Sequence, residues 1–213
     1  MTILMPIYNG IEFLNESIDS IKSQTYKDWK LIIGINGHQL NSDTYKIAKK
    51  HESKKIKVLD LGFSGGKAKS LNKMVEFVED DWVSILDVDD KWLPRKLEKQ
   101  LPLTKSYDVI GTLCQYFQDR NDCPPIPTGD ISNFNFNKVN PIINSSALIK
   151  KELCYWDADI EGVEDYSLWK KLRKLQFKFY NLPEVLVMHR IHKNSAFNGT
   201  KEQLMNLKKM NAI

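Results

Sequence analysis

Trp82-Val83-Ser84-Ile85-Leu86-Asp87-Val88-Asp89-Asp90-Lys91-Trp92 decides how the rest of the chain is read. Its first half is an apolar run of β-formers, the pattern of a buried strand. Its second half places three carboxylates within four residues. A buried strand that ends in acid points to the carboxyl edge of a sheet, where open α/β folds bind ligands. Asp87 and Asp89 stand two apart, a spacing that lets both offer oxygen to one hard cation. A solvated acidic turn would use the same residues, because Asp also favours turns. The flanking sequence has to decide between the two.

Upstream, strands and helices alternate. Thr2 to Met5 reads as a strand closed by Pro6, and Ile7-Tyr8-Asn9-Gly10 as a turn with Asn9 as helix N-cap. Ile11, Leu14, Ile18 and Ile21 recur at helical spacing. Trp29 to Ile35 is a strand, Thr44 to Lys50 a helix and Ile56 to Leu61 a strand. After Gly62, Gly65 and Gly66, Lys67 to Val78 reads as a helix that leads into the strand ending at Asp87. This β-α-β-α-β-α-β order predicts a Rossmann-like, mainly parallel central sheet flanked by helices.

Downstream the rhythm changes. Pro94 opens a short helix bearing Leu93, Leu97 and Leu101, and Asp108 to Phe117 is a strand. Gln118 to Asn133, with Cys123-Pro124-Pro125, reads as a long loop. Ile142 to Ile149 is expected as a strand, Glu164 to Leu175 as a helix, and Phe177–Tyr180 and Leu186–Met188 as short strands. Thr200 caps a last helix with Leu204, Leu207 and Met210. The reading is one domain, residues 1–213, in two lobes. Residues 1–100 form a nucleotide-binding half, and residues 101–213 a smaller acceptor-side half that completes the site.

Composition narrows the function classes. With 42% hydrophobic and 27% charged residues among 213, the chain belongs with ordinary globular proteins. A net charge of +4 with dispersed lysines excludes a nucleic-acid arm. Cys114, Cys123 and Cys154 lack paired metal-type spacing and read as free thiols of a reduced compartment. The first residues are too few and too uncharged for a signal peptide. No apolar run approaches the ~20 residues that span a bilayer. The expectation is a cytoplasmic protein, soluble or peripherally membrane-associated.

Three further stretches carry chemistry. Gly62 to Asn72 is a glycine turn opening a helix; its backbone N–H groups suit an anion, and Lys67 adds a mobile charge. Its spacing is not that of a Walker loop. Glu164 and Asp165 stand at a helix start, where they stabilise the helix dipole or, alternatively, supply a general base. In His189-Arg190-Ile191-His192 the arginine suits phosphate and His192 a metal, although lone histidines are more often structural.

Taken in order, Pro6-Ile7-Tyr8-Asn9, Gln24-Thr25-Tyr26, Gly66-Lys67-Ala68 with Leu71-Asn72, Leu86-Asp87-Val88-Asp89-Asp90, Glu164-Asp165-Tyr166 with Leu168-Trp169, and Arg190-Ile191-His192 resemble the family 2 glycosyltransferases of the GT-A fold. The resemblance runs from Thr2 to about Ser195. It implies transfer of a sugar from a nucleotide-diphospho-sugar, UDP-linked by preference, to a hydroxyl of a glycan, lipid-linked or protein-linked acceptor. It implies that Asp87 meets the donor ribose and, with Asp89 and His192, holds Mn²⁺ or Mg²⁺, with Asp90 as a substitute. Asp165 is the implied base of an inverting displacement, oriented by Glu164. Pro6, Ile7, Tyr8, Asn9, Asn36, Asn72 and Val88 are the implied donor-site residues, with Lys67 and Arg190 near the phosphates.

One departure stands out. Where members carry an acidic pair after the second strand, this chain has Gly34-Ile35-Asn36-Gly37. Asn36 offers both a donor and an acceptor to the base. Two other readings compete. A sugar nucleotidyltransferase wants a glycine-rich, basic amino-terminal signature, which Met5 to Asn9 does not supply. A non-catalytic nucleotide-sugar-binding module has no need to keep Asp87, Asp89 and Asp165 together.

Overall fold

The computed structural model describes residues 1–160, 162–193 and 204–208. Its elements are strands β1 (Thr2–Ile7), β2 (Lys30–Ile35), β3 (Ile56–Asp60), β4 (Trp82–Ile85), β5 (Lys91–Trp92), β6 (Val109–Gln118), β7 (Gly129–Asp130), β8 (Leu148–Lys150) and β9 (Phe179–Ile191), and helices α1 (Leu14–Lys22), α2 (Asp43–Lys49), α3 (Lys67–Val75), α4 (Lys96–Gln100) and α5 (Glu164–Lys174). Among the described residues the strands form one sheet in the order β3-β2-β1-β4-β8-β6-β9-β5, with β7 added against β9. β1 to β4 run parallel, β8 runs against both β4 and β6, and β9 runs parallel to β6. A mainly parallel sheet with helices over its faces is thus what the alternating pattern predicted.

The chain winds from β1 outward to β2 and β3, then returns to place β4 on the other side of β1. Strand order therefore reverses between β1 and β4, and such a switch point leaves a crevice at the carboxyl ends of the two strands. Pairing of β1 with β4 stops at Leu4 and Ile85, while pairing with β2 continues to Ile7 and Ile35. Pro6 lies past that last pair, so its missing N–H leaves no gap in the β1–β4 ladder.

Alternate residues along the strands feed two cores. Ile3, Met5, Leu31, Ile33 and Ile35 pack with Leu14, Ile18 and Ile21 of α1. Leu4, Ile32, Val83 and Ile85 pack with Ala68, Leu71 and Met74 of α3 and with Leu168, Trp169 and Leu172 of α5. Gly34 lets α3 come close: a Cβ there would lie 2.5 Å from Met74 Sδ and 3.0 Å from Leu61 Cδ1.

Several expectations need correction. The first helix is capped by Gly10, with φ of 87°, and no side chain of Asn9 takes part; a 3-10 turn at Ile11–Phe13 precedes α1. α3 ends at Val75 and β4 at Ile85, short of Val78 and Asp87. The strand expected over Ile142–Ile149 is mostly a 3-10 turn at Asn144–Ser146, and only Leu148–Lys150 pairs. The two strands expected at the carboxyl side are one, β9, in which Pro183 sits where the register against β6 slips between Thr112 and Leu113. A bulge absorbs the proline that otherwise reads as a strand end. The long loop contains β7. Leu204 to Lys208 is helical, whereas Thr200 and Met210 lie outside the described residues.

Candidate active site

At the switch point the turn after β1, the aspartate turn after β4, the start of α3 and the start of α5 come together. Asp87 is partly exposed there. Lys67 Nζ lies 2.6 Å from Asp87 Oδ1 and 3.9 Å from Glu164 Oε1, so one ammonium ties the aspartate turn to α5. Burial works against charge on both Lys67 and Asp87, but their attraction prevails: Asp87 is held below the usual carboxylate range and Lys67 above the usual lysine range. Asn144 Nδ2 donates to both Asp87 oxygens at 3.1 and 3.2 Å, and the Asp87 N–H donates to Ser145 Oγ at 3.1 Å.

Asp165 is half-buried beside this pair and accepts a hydrogen bond from Asn140 Nδ2 at 3.1 Å. Burial pushes its pKa up, against the pull of Lys67 and the Asn140 bond. Glu164 is 5% exposed at the first turn of the same helix.

Asp89 and Asp90 diverge. Asp89 Oδ2 lies 3.1 Å from His192 Nε2. Burial, then the charges of Asp90 and Asp87, push Asp89 upward, which is the signature of crowded acid that a cation would relieve. Asp90 is 1% exposed and turns inward. It accepts from Ser145 Oγ at 2.5 Å, His189 Nδ1 at 2.8 Å and the Arg190 N–H at 2.8 Å. Burial alone would lower the pKa of His189, yet Asp90, with Asp87 and Asp89 behind it, lifts it to about 9. The expectation that Asp90 could substitute as a metal ligand is therefore corrected: its oxygens brace the turn from beneath.

Three other donor-site expectations are also corrected. Arg190 does not reach toward phosphates. Its Nε donates to the Asp89 carbonyl at 2.7 Å, its other nitrogens reach Gln118 and Glu16, and its plane stacks between Phe13 and Phe117 at 4.3 and 4.4 Å. Asn72 spends both ends of its amide on the backbone of Trp156, at 2.8 and 2.9 Å. Val88 is 6% exposed and packs in the core under Gly10.

At the β1 side, Pro6 and Ile7 are buried, while Tyr8 and Asn9 are exposed. Asn36 is 3% exposed and its N–H donates to the Ile7 carbonyl. His38 Nε2 lies 2.5 Å from the Tyr8 carbonyl, and the two rings stand 5.9 Å apart. Among the described residues no three His, Cys, Asp or Glu side chains form a ready-made cation cage. Asp89 and His192 nevertheless offer one carboxylate oxygen and one imidazole nitrogen side by side, two donors that could hold a divalent cation when a ligand supplies further oxygens.

Asn140, Asn144 and Ser145 were not singled out from sequence. Asn144 and Ser145 lie within the stretch Ile142 to Ile149 whose apolar residues mimic a strand, and Asn140 stands just before it.

The family model of glycosyl transferase family 2 matches residues 2–155. The chain belongs to that family. Among curated members, the putative glycosyltransferase EpsE of Bacillus subtilis (strain 168) is 30% identical over 203 residues, covering 87% of this chain and 71% of EpsE. The O-antigen biosynthesis glycosyltransferase WbnJ of Escherichia coli is 28% identical over 214 residues, covering 92% and 81%. In fold, this glycosyl transferase family 2 chain is similar to S. aureus TarS 1-349 in complex with UDP, with TM-score 0.76, 16% identity, and 99% of this chain matched to 64% of that one. It is also similar to the mannosyltransferase PcManGT from Pyrobaculum calidifontis in complex with GDP-Man and Mn²⁺, with TM-score 0.67, 17% identity, and 92% matched to 58%. The chain thus has the GT-A fold and spans under two thirds of those solved chains. Among the described residues no helix is long and apolar enough to cross a membrane.

Proposed function

We propose that this family 2 glycosyltransferase moves a sugar from a nucleotide-diphospho-sugar to an acceptor hydroxyl, with inversion. The observation that carries the proposal is the Lys67 bridge from Asp87 to Glu164, which holds the donor-side aspartate and the first turn of α5, with its Asp165, around one crevice. The nucleoside end lies over the exposed Tyr8 and Asn9, beside the buried Asn36. The nucleotide is UDP, the one in the TarS complex. Asp89 and His192 would hold Mn²⁺ or Mg²⁺, which when bound would supply charge neutralisation for the departing diphosphate. Asp165 accepts the proton of the acceptor hydroxyl as the oxygen of that hydroxyl forms its bond to the anomeric carbon. The bond from that carbon to the diphosphate oxygen breaks, and its electron pair leaves with the nucleotide. Lys67 keeps Asp87 charged and in place. The acceptor is a glycan or a lipid- or protein-linked sugar, and further residues beyond this chain's share of the longer relatives would complete its site. Peripheral membrane docking is part of the same reading, as is the division at residue 100 between donor and acceptor halves.

The test is a thermal-shift screen of nucleotide sugars with and without Mn²⁺, since a ligand of the native state raises its melting temperature. UDP with Mn²⁺ should stabilise the wild type and fail to stabilise Asp89→Ala. Equal Mn²⁺-dependent stabilisation of the variant removes Asp89 from the metal site.

A further inference from the structure

The segment from Asn140 to Asn144 reaches two functional carboxylates at once. Asn140 donates Nδ2 to Asp165, and Asn144 donates Nδ2 to Asp87. An ionised carboxylate only accepts, so each amide must face it with nitrogen and turn its carbonyl oxygen away. Both Oδ1 atoms are buried, and neither has a hydrogen-bond partner among the described residues. Buried polar atoms are nearly always paired, so two amides within five residues that leave an oxygen unpaired are held by what their nitrogens face, the two carboxylates.

The segment is itself firmly held. The Pro141 carbonyl accepts from Asn181 Nδ2 at 2.8 Å, and the Ile142 carbonyl from Trp169 Nε1 at 3.2 Å. Ser145 joins the Asp87 N–H to Asp90, and the Ser146 carbonyl accepts from Gln100 Nε2 at 2.8 Å. Ile142 is fully buried.

We propose that Asn140 and Asn144 are the two points of a positioning clamp, which fixes Asp165 relative to Asp87. The clamp rests on Asp165 being the base. It explains why both amides face acid with nitrogen. Asp165 is also faced by Lys67, which favours its charged form, and by Asp87, which opposes it. The Asn140 bond favours the charged form too.

The test compares Asn140→Ala, Asn144→Ala and Asp165→Asn in the full chain, with Asn140→Ser in reserve should the alanine variant not fold. Asp165 is followed by carboxyl ¹³C shift against pH in the free protein, which needs no substrate. UDP and GDP binding with Mn²⁺ is followed by calorimetry, and nucleotide release from UDP-GlcNAc and GDP-mannose by rate. Asn140→Ala should leave nucleotide affinity within roughly twofold, lower the saturated rate about tenfold, and move both the Asp165 titration and the acid limb of the rate upward in pH. Asn144→Ala should weaken nucleotide binding and leave the Asp165 titration where it was. An unmoved Asp165 titration in Asn140→Ala, or a parallel loss of nucleotide binding in both asparagine variants, overturns the clamp. A wild-type rate in Asp165→Asn overturns the base assignment, and the clamp with it. An inactive Asp165→Asn beside a wild-type-like Asn140→Ala overturns the clamp alone.

Discussion

Asp165 illustrates how one side chain acquires its role from its surroundings. Burial raises its pKa, and a base must be ionised to accept a proton. With Asp165 as the proposed base, the rate should fall as pH drops through a pKa above the ordinary aspartate range. The acid limb of kcat should sit above the usual carboxylate range, and Asp165→Asn should bind UDP with Mn²⁺ like the wild type while transfer stops. Near-normal transfer would assign the base elsewhere. Gly34 shows the same dependence in packing. A side chain there meets Met74 and Leu61, so Gly34→Val should cost about 1–3 kcal/mol by overpacking. Chemical denaturation measures this directly, and an unchanged midpoint would show that α3 can back away.

At the scale of elements, α4 carries a charge into the interior. Lys96 is fully buried there, donating to Ser84 Oγ at 3.1 Å and Gln100 Oε1 at 2.7 Å, with its ammonium 3.9 Å from the Trp92 ring centre. Burial pushes its pKa well below 10.5. The folded chain then gives up this proton at lower pH than the unfolded chain, so stability rises with pH between those two pKa values. Lys96→Met removes that slope. The stability of the variant relative to wild type should decline as pH climbs from 7 toward 10, read by denaturation at each pH; a constant difference would mean the lysine titrates normally. Elements also show where sequence was readable. β1 through β4 were legible because short apolar runs are broken by Gly10, Gly37 and Gly62 and alternate with helical spacings. Past Asp90 the signals conflict. Ile142 and Ile143 read as strand yet anchor a turn, and Pro183 reads as a break yet sits in a bulge of one long strand.

For the whole molecule, the same contrast separates what the site disclosed from what it withheld. Asp87, Asp89, Asp165 and His192 are singled out by acidic spacing and by the family resemblance, and the fold sets Asp87 and Glu164 about Lys67 and Asp89 beside His192. The inward turn of Asp90, the bracing role of Arg190 and the paired asparagines depend on contacts between distant segments, which no local pattern encodes. β4 has β1 on one side and β8 on the other, so the aspartate turn sits where the parallel strands β1 to β4 meet the antiparallel β8. Its support comes late in the chain. Asp90 is gripped by His189 and Arg190, which follow it by 99 and 100 positions. On a translating ribosome, at about 5–20 residues per second, that clasp arrives some five to twenty seconds after the acidic residues have been made. Until then Asp90 lacks its histidine and arginine partners, and on the proposed reading donor capture has to await the emergence of β9.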